Sequence, residues 1–301
     1  MDSYCGYVAL IGAPNAGKST LLNALIGNRI SIVTAKPQTT RSRIRGIANT
    51  DKAQVVFIDT PGIFEAKPKF EKAMVDAAWS GADEAEITVL VVDANRGLDD
   101  DTRRIADSLR ARGKRAILVL NKIDKVEEKI RLPELAKLLY DIYDFERSFM
   151  VAAERGDGVA DILTYLGAQM PPSPWLYPED ELTDASERII AAEITREQCF
   201  LRLHAELPYG LMVETEKWEE KNDKKGRVLR INQIIITQQE SHKKIILGKS
   251  GAMLKAIGSA ARRKIGGALG ATVHLFLFVK VQEGWKDDPQ SYKTAGLEYK
   301  Q

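Results

Sequence analysis

The stretch Gly12-Ala13-Pro14-Asn15-Ala16-Gly17-Lys18-Ser19-Thr20 fits the pattern G-x-x-x-x-G-K-[ST], and no other feature restricts the fold of this chain so tightly. Tyr7 to Ile11 before it read as a short buried strand, and Leu21, Leu22, Leu25 and Ile26 after it have helical spacing. Strand, glycine-rich loop and helix in that order aim consecutive N–H groups and a helix N-terminus at an anion. In such a loop Lys18 reaches the β- and γ-phosphates of a nucleotide and Ser19 holds Mg²⁺. Gly12, Asn15, Ala16, Gly17 and Thr20 complete the expected cradle.

Short apolar runs alternate with amphipathic stretches as far as about residue 170. Val55–Ile58, Thr88–Val92, Ala116–Leu120 and Phe149–Val151 read as strands; 69–80, 101–112, 133–143 and 158–169 read as helices. Alternation of this kind predicts an α/β domain with a mostly parallel sheet and helices on both faces. Ligands then gather at the carboxyl ends of the strands. Asp59-Thr60-Pro61-Gly62 stands at one such end, 41 residues after Lys18. There the Asp59 carboxylate can serve Mg²⁺ and the Gly62 N–H can meet a γ-phosphate. Asn121-Lys122-Ile123-Asp124 stands at another. The Asp124 carboxylate can accept from N1–H and N2–H₂ of guanine, a donor pair that adenine lacks. Asn121 is expected on the purine edge, with the Lys122 stem over the ring. Paired hydrogen bonds of this kind discriminate by about 10⁴ or more, because the wrong base leaves buried groups unpaired.

With these residues in this order the chain resembles the translation-factor-related GTPases, so GTP and GDP are the expected ligands. The resemblance implies a switch threonine before Ile44–Ala48 that meets Mg²⁺ and the γ-phosphate only with GTP. Thr39 and Thr40 are the candidates, and the sequence leaves the choice open. Val151-Ala152-Ala153-Glu154 occupies the position where such proteins carry Ser-Ala-Lys, so a serine hydroxyl is missing. The backbone N–H groups of Ala152 and Ala153 remain candidates for the base. Ile63 replaces the glutamine that orients water in many GTPases, so Lys18, Thr40, Asp59 and Gly62 carry the expected chemistry, at a slow intrinsic rate. In related GTPases with an apolar residue there, an asparagine at the Asn15 position helps hold K⁺.

The 301 residues allow two domains, and a net charge of +2 means that any nucleic-acid surface must come from local clustering. Cys5 and Cys199 have no metal-ligand spacing. No apolar run approaches about 18 residues and no leader precedes the first strand, which predicts a cytosolic chain. Four of eleven prolines fall within Pro171–Pro178. The run predicts a semi-rigid linker over 171–183, between a nucleotide domain over 1–170 and a second domain over 184–301.

In the second domain Asp184 and Glu187 read as a capping box for a helix carrying Ile189, Ile190, Ile194, Phe200, Leu203 and Leu207. Leu211–Trp218 and Val228–Thr237 read as strands about the turn Glu219–Gly226. A helix near 251–265 and a strand, Thr272–Val281, complete an α+β unit. Between them Gly248-Lys249-Ser250-Gly251 resembles the G-x-x-G loop of a KH domain (type II-like order), which clamps the backbone of about four single-stranded nucleotides. Ile246, Leu254 and Ile257 are the expected apolar floor for bases. Residues 241–282 hold eight Lys/Arg and no Asp or Glu, where the chain average would put about six acids. Lys243, Lys244, Lys249, Lys255, Arg262 and Arg263 lead that set. A one-sign surface of this kind fits phosphates, and RNA outweighs an anionic membrane or a merely solvated face.

Both domains, their order, the linker and Gln38 to Arg41 together resemble the Era family over essentially the whole chain. That resemblance implies a monomeric GTPase that holds the 3′ end of 16S rRNA and assists assembly of the 30S subunit. It also implies peripheral contact with the inner face of the cell membrane. Two rivals stay open: an RNA-binding scaffold with nucleotide as a structural ligand, and a membrane-associated signalling GTPase.

Overall fold

A computed structural model describes residues 3–34, 36, 40, 44–204, 207–224 and 226–299. Thr39, Gln38 and Arg41, singled out above, lie outside the described residues. Contacts divide the chain into two units. The first comprises residues 1–31, 40–184 and 296–301, and the second 32–39 and 185–295.

The first unit is a six-stranded sheet flanked by helices. Its elements are β1 (Tyr4–Ile11), α1 (Lys18–Ile26), β2 (Ile44–Asn49), β3 (Ala53–Asp59), α2 (Lys69–Glu84), β4 (Ile87–Asp93), α3 (Asp100–Arg112), β5 (Ala116–Asn121), α4 (Arg131–Tyr140), β6 (Ser148–Met150) and α5 (Val159–Gln169). Strand order is β2-β3-β1-β4-β5-β6. Only β2 runs antiparallel, against β3; the other pairs are parallel, as the alternating pattern requires. β3 and β5 are buried at every position, the mark of strands covered on both faces. β1 ends at the P-loop, β3 at Asp59 and β5 at Asn121, so the sheet brings the three motifs to one edge. α2 runs a turn beyond the expected 80, because Ala77, Ala78, Gly81 and Ala82 are small enough to seat it close on the sheet.

The segment expected as a linker packs on the first unit instead. Pro172 bridges Tyr4, Thr183 bridges Gly46, and the Gln54 side chain accepts from the backbone N–H groups of Leu176 and Tyr177 at 2.9 and 3.0 Å. A proline-rich strip has few N–H groups to satisfy, so it lies against a sheet edge at little cost.

The second unit contains α6 (Glu187–Arg202), β7 (Leu211–Asp223), β8 (Gly226–Thr237), α7 (Glu240–Leu247), α8 (Ala252–Leu269), β9 (Thr272–Val281) and α9 (Pro289–Thr294). The sheet order is β7-β8-β9, with β7 antiparallel to β8 and β8 parallel to β9. Ser186 caps α6 by accepting from the Ile189 N–H, in place of the expected Asp184. β7 and β8 pair as far as Asp223 and Gly226, so the charged stretch expected as a turn is mostly exposed strand. Lys36 Nζ donates to the carbonyls of Phe200 and Leu203, which groups its segment with this unit. Cys5 and Cys199 are buried and unpaired, and burial pushes the Cys199 thiol up to about 12. Among the described residues no helix is long and apolar enough to cross a membrane.

Candidate functional site

The P-loop closes on itself through Lys18, whose Nζ donates to the carbonyls of Gly12 and Ala13 at 3.0 and 3.1 Å. Burial lowers the Lys18 ammonium to about 8, against the opposing pull of Asp59. Gly17 begins α1 with φ +97°, and a Cβ there would sit 2.2 Å from Asn121 Nδ2, so only glycine fits. Gly62 packs on Pro14 so closely that a Cβ would meet three of its atoms at 3.0 Å. Thr60 donates to the Leu10 carbonyl at 2.7 Å, and Pro61 continues the turn to Ile63, whose N–H donates to the Gly12 carbonyl at 3.1 Å. Ile63 is buried in the core of the first unit.

Asp59 gathers the metal candidates. Its Oδ2 accepts from Ser19 Oγ at 2.7 Å, from Ser31 Oγ at 2.8 Å and from Thr40 Oγ1 at 3.4 Å; Ser19 and Thr40 hydroxyls are 2.9 Å apart. Asp59 is fully buried, and burial raises its carboxyl while those hydroxyls and Lys18 pull it back. Its Oδ1 is buried with no hydrogen-bond partner among the described residues. A buried carboxylate oxygen without a partner, beside two hydroxyls, is a donor set suited to a hard divalent cation. Ser31 has no motif to mark it in the sequence; only the fold brings it to Asp59.

Asn121 is held by hydrogen bonds within the protein. It is 2 % exposed, its Nδ2 donates to the Ala16 carbonyl at 3.1 Å, and its Oδ1 accepts from the N–H groups of Lys122 (2.8 Å) and Ala153 (3.1 Å). It braces three loops to one another. The Ala152 N–H is also in use, donating to the Asp157 carbonyl at 3.1 Å. Lys122, left-handed at φ 62°, sends Nζ to the Asn15 carbonyl and to Asp93, both at 2.6 Å. Asp124 makes one long contact to the exposed Arg155, at 3.5 Å. Gly17, Thr20, Asn121, Lys122, Asp124, Ala153, Glu154 and the unforeseen Lys125 line a common pocket.

In the second unit Gly248 (φ 71°, ψ 177°), Ser250 (φ 50°) and Gly251 (φ 78°) make a tight turn between α7 and α8. Asn15, Lys122 and Ser250 are the non-glycine residues with positive φ among the described residues, and each belongs to a singled-out motif. Lys244, Lys249, Lys255, Arg262 and Arg263 are exposed, and Lys243 is half-buried. Lys264 is committed to the buried Glu197 at 2.9 Å. The expected apolar floor is corrected: Ile246 and Ile257 are 0 % exposed and belong to the core with Cys199, Leu203 and Ile235. Helical phase turns Ile246 inward and leaves Ile245 53 % exposed beside the turn. Leu254 is half-buried against the same core.

A P-loop, a buried Asp59–Ser19–Thr40 cluster and an Asn-Lys-x-Asp loop on one sheet edge, followed by a basic glycine-bounded turn in an α+β unit, define a P-loop GTPase joined to a KH domain. Family models agree: "50S ribosome-binding GTPase" matches residues 7–122 and "KH domain" residues 206–286. The GTPase Era of Mesorhizobium japonicum is 52 % identical over 297 residues, covering 99 % of this chain and 94 % of that one. That of Brucella suis is 49 % identical, covering 98 % and 93 %. A crystal structure of Era with MgGDPNP and nucleotides 1506–1542 of 16S ribosomal RNA superposes with a TM-score of 0.91 at 34 % identity, covering 98 % of this chain and 99 % of the other. An Aquifex aeolicus Era variant bound to GDP and AlF₄⁻ gives 0.90 at 34 % identity, over 97 % and 99 %. The chain belongs to the Era family of GTPases.

Proposed function

We propose that this GTPase binds GTP with Mg²⁺ in the P-loop unit, holds the 3′ end of 16S rRNA on the Gly248–Gly251 turn, and assists assembly of the 30S subunit. The observation that carries the nucleotide half is the buried, partnerless Asp59 Oδ1 beside the Ser19 and Thr40 hydroxyls. Ser19 and Thr40 would hold Mg²⁺, with Asp59 behind them, and the ion would supply charge neutralisation along the β- and γ-phosphates. Lys18 exchanges its P-loop carbonyls for phosphate oxygens. The Gly62 N–H meets the γ-phosphate. Asp124 reads guanine, and Asn121 keeps its loop in place. Ile63 offers no hydrogen bond to the attacking water, so positioning and charge carry hydrolysis and the unassisted rate is slow. Thr40 is the switch threonine in this reading. Asn15 would present its side-chain amide oxygen to K⁺ beside the phosphates, and equal turnover in K⁺ and Na⁺ would refute that role. A monomer in the cytoplasm, in peripheral contact with the inner membrane face, completes the reading; cell fractionation checks it. Phosphate release over many turnovers, with and without 30S subunits, is the deciding measurement. Turnover absent in both conditions would leave an RNA-binding scaffold instead.

A further inference from the structure

β9 lies at the edge of the second sheet, and His274, Phe276, Phe278 and Lys280 alternate along its exposed face. Phe276 is 42 % exposed and Phe278 54 %. The intervening Leu277 and Val279 face the other way, onto the core beneath α7 and α8. The register sets Arg230 opposite His274, Asn232 opposite Phe276 and Ile234 opposite Phe278, so these share the exposed face. The Arg230 guanidinium stands 5.2 Å from the Phe276 ring centroid. Across on β7, Glu219 pairs with Arg230 and Glu214 with Ile234.

Two exposed aromatic rings on a long edge strand are a liability in water unless something covers them. The occupant's chemistry follows from what surrounds them. Rings two residues apart on a strand are separated by about 6.6 Å, close to twice the roughly 3.4 Å step between stacked nucleotides. An amide at Asn232 can serve a base edge, while Arg230 and Lys280 can meet phosphates. Exposed aromatics on a sheet, flanked by cations, are the stacking device of other single-strand RNA modules.

We propose that this face is a second single-stranded RNA contact, in which unpaired bases stack on Phe276 and Phe278 after the strand leaves the glycine turn. The inference rests on the reading that the Gly248–Gly251 turn binds RNA. Fluorescence anisotropy with labelled RNAs of four and twelve nucleotides tests both together. Phe276→Ala/Phe278→Ala should bind the 4-mer as the parent does and the 12-mer at least about 30-fold more weakly. Phe276→Leu/Phe278→Leu, which keeps apolar surface without rings, should lose a similar factor, whereas the double tyrosine variant should bind normally. Melting temperatures close to the parent's should accompany all three, because both rings are exposed. Parent-like affinity of the alanine variant for the 12-mer would overturn the stacking platform and leave a protein partner for the stripe. Failure of the parent to bind either RNA would instead overturn the reading of the glycine turn.

Discussion

Replacing Asn121 by alanine separates two roles that the Asn-Lys-x-Asp motif runs together. The side chain makes three hydrogen bonds, to Ala16, Lys122 and Ala153, and is 2 % exposed. Two of the groups it satisfies, the Ala16 carbonyl and the Ala153 N–H, are in buried surroundings. Each buried group left without a partner costs about 1–3 kcal/mol, so the variant should lose about 4 kcal/mol. For a domain of this size that lowers the melting temperature by about 8–16 °C. Asp124→Asn provides the contrast. Its one ion pair is 3.5 Å long and involves an Arg155 that is 65 % exposed, worth well under about 1 kcal/mol. That variant should melt within about 2 °C of the parent, bind GDP far more weakly and prefer xanthine nucleotides, whose C2 oxygen needs a donor. Differential scanning fluorimetry of nucleotide-free protein, with calorimetric titration of GDP and XDP, measures both. If Asn121→Ala melts like the parent yet loses GDP affinity as Asp124→Asn does, the brace is wrong and Asn121 reads the base.

Lys18 gives a pH signature. Its ammonium is lowered to about 8 by burial, and phosphates favour the charged form, so GDP affinity should be level below about pH 8 and fall by up to tenfold per unit above it. In nucleotide-free protein the unfolded chain holds the Lys18 proton more tightly than the folded one, so this group makes stability rise with pH from about 8 to its ordinary value. Affinity that stays constant to pH 10 would contradict the burial argument. Gly17→Ala forces a Cβ to 2.2 Å from Asn121 at a φ of +97°; it should abolish GDP binding by calorimetry while leaving RNA binding intact. Gly251 has open space around it, whereas a Cβ at Gly248 would meet Met253 at 2.7 Å. Gly251→Asp should therefore weaken RNA binding at least tenfold with a shift of only a few degrees in melting temperature, and Gly248→Asp should destabilise the second unit as well.

The phosphate and guanine motifs were legible in sequence because each is a contiguous loop whose neighbours along the chain supply its context. What escaped depended on contacts across the fold. The brace that Asn121 provides has no sequence signal because the residues it joins lie 105 and 32 positions away. Ser31 joins Asp59 from a stretch with no pattern of its own. One residue of helical phase decides that Ile246 faces the core and Ile245 the solvent, and the short α7 leaves no sequence periodicity long enough to fix that phase. Prolines at 171–178 correctly announced the end of a helix. They could not announce that Gln54 waits to accept the backbone N–H groups that follow.

Ser31 and Thr40 deliver their hydroxyls to the same Asp59 oxygen. Two residues nine positions apart in the chain thus answer to one carboxylate. A substitution at Ser31 is therefore felt at Thr40 through Asp59, although no motif contains Ser31.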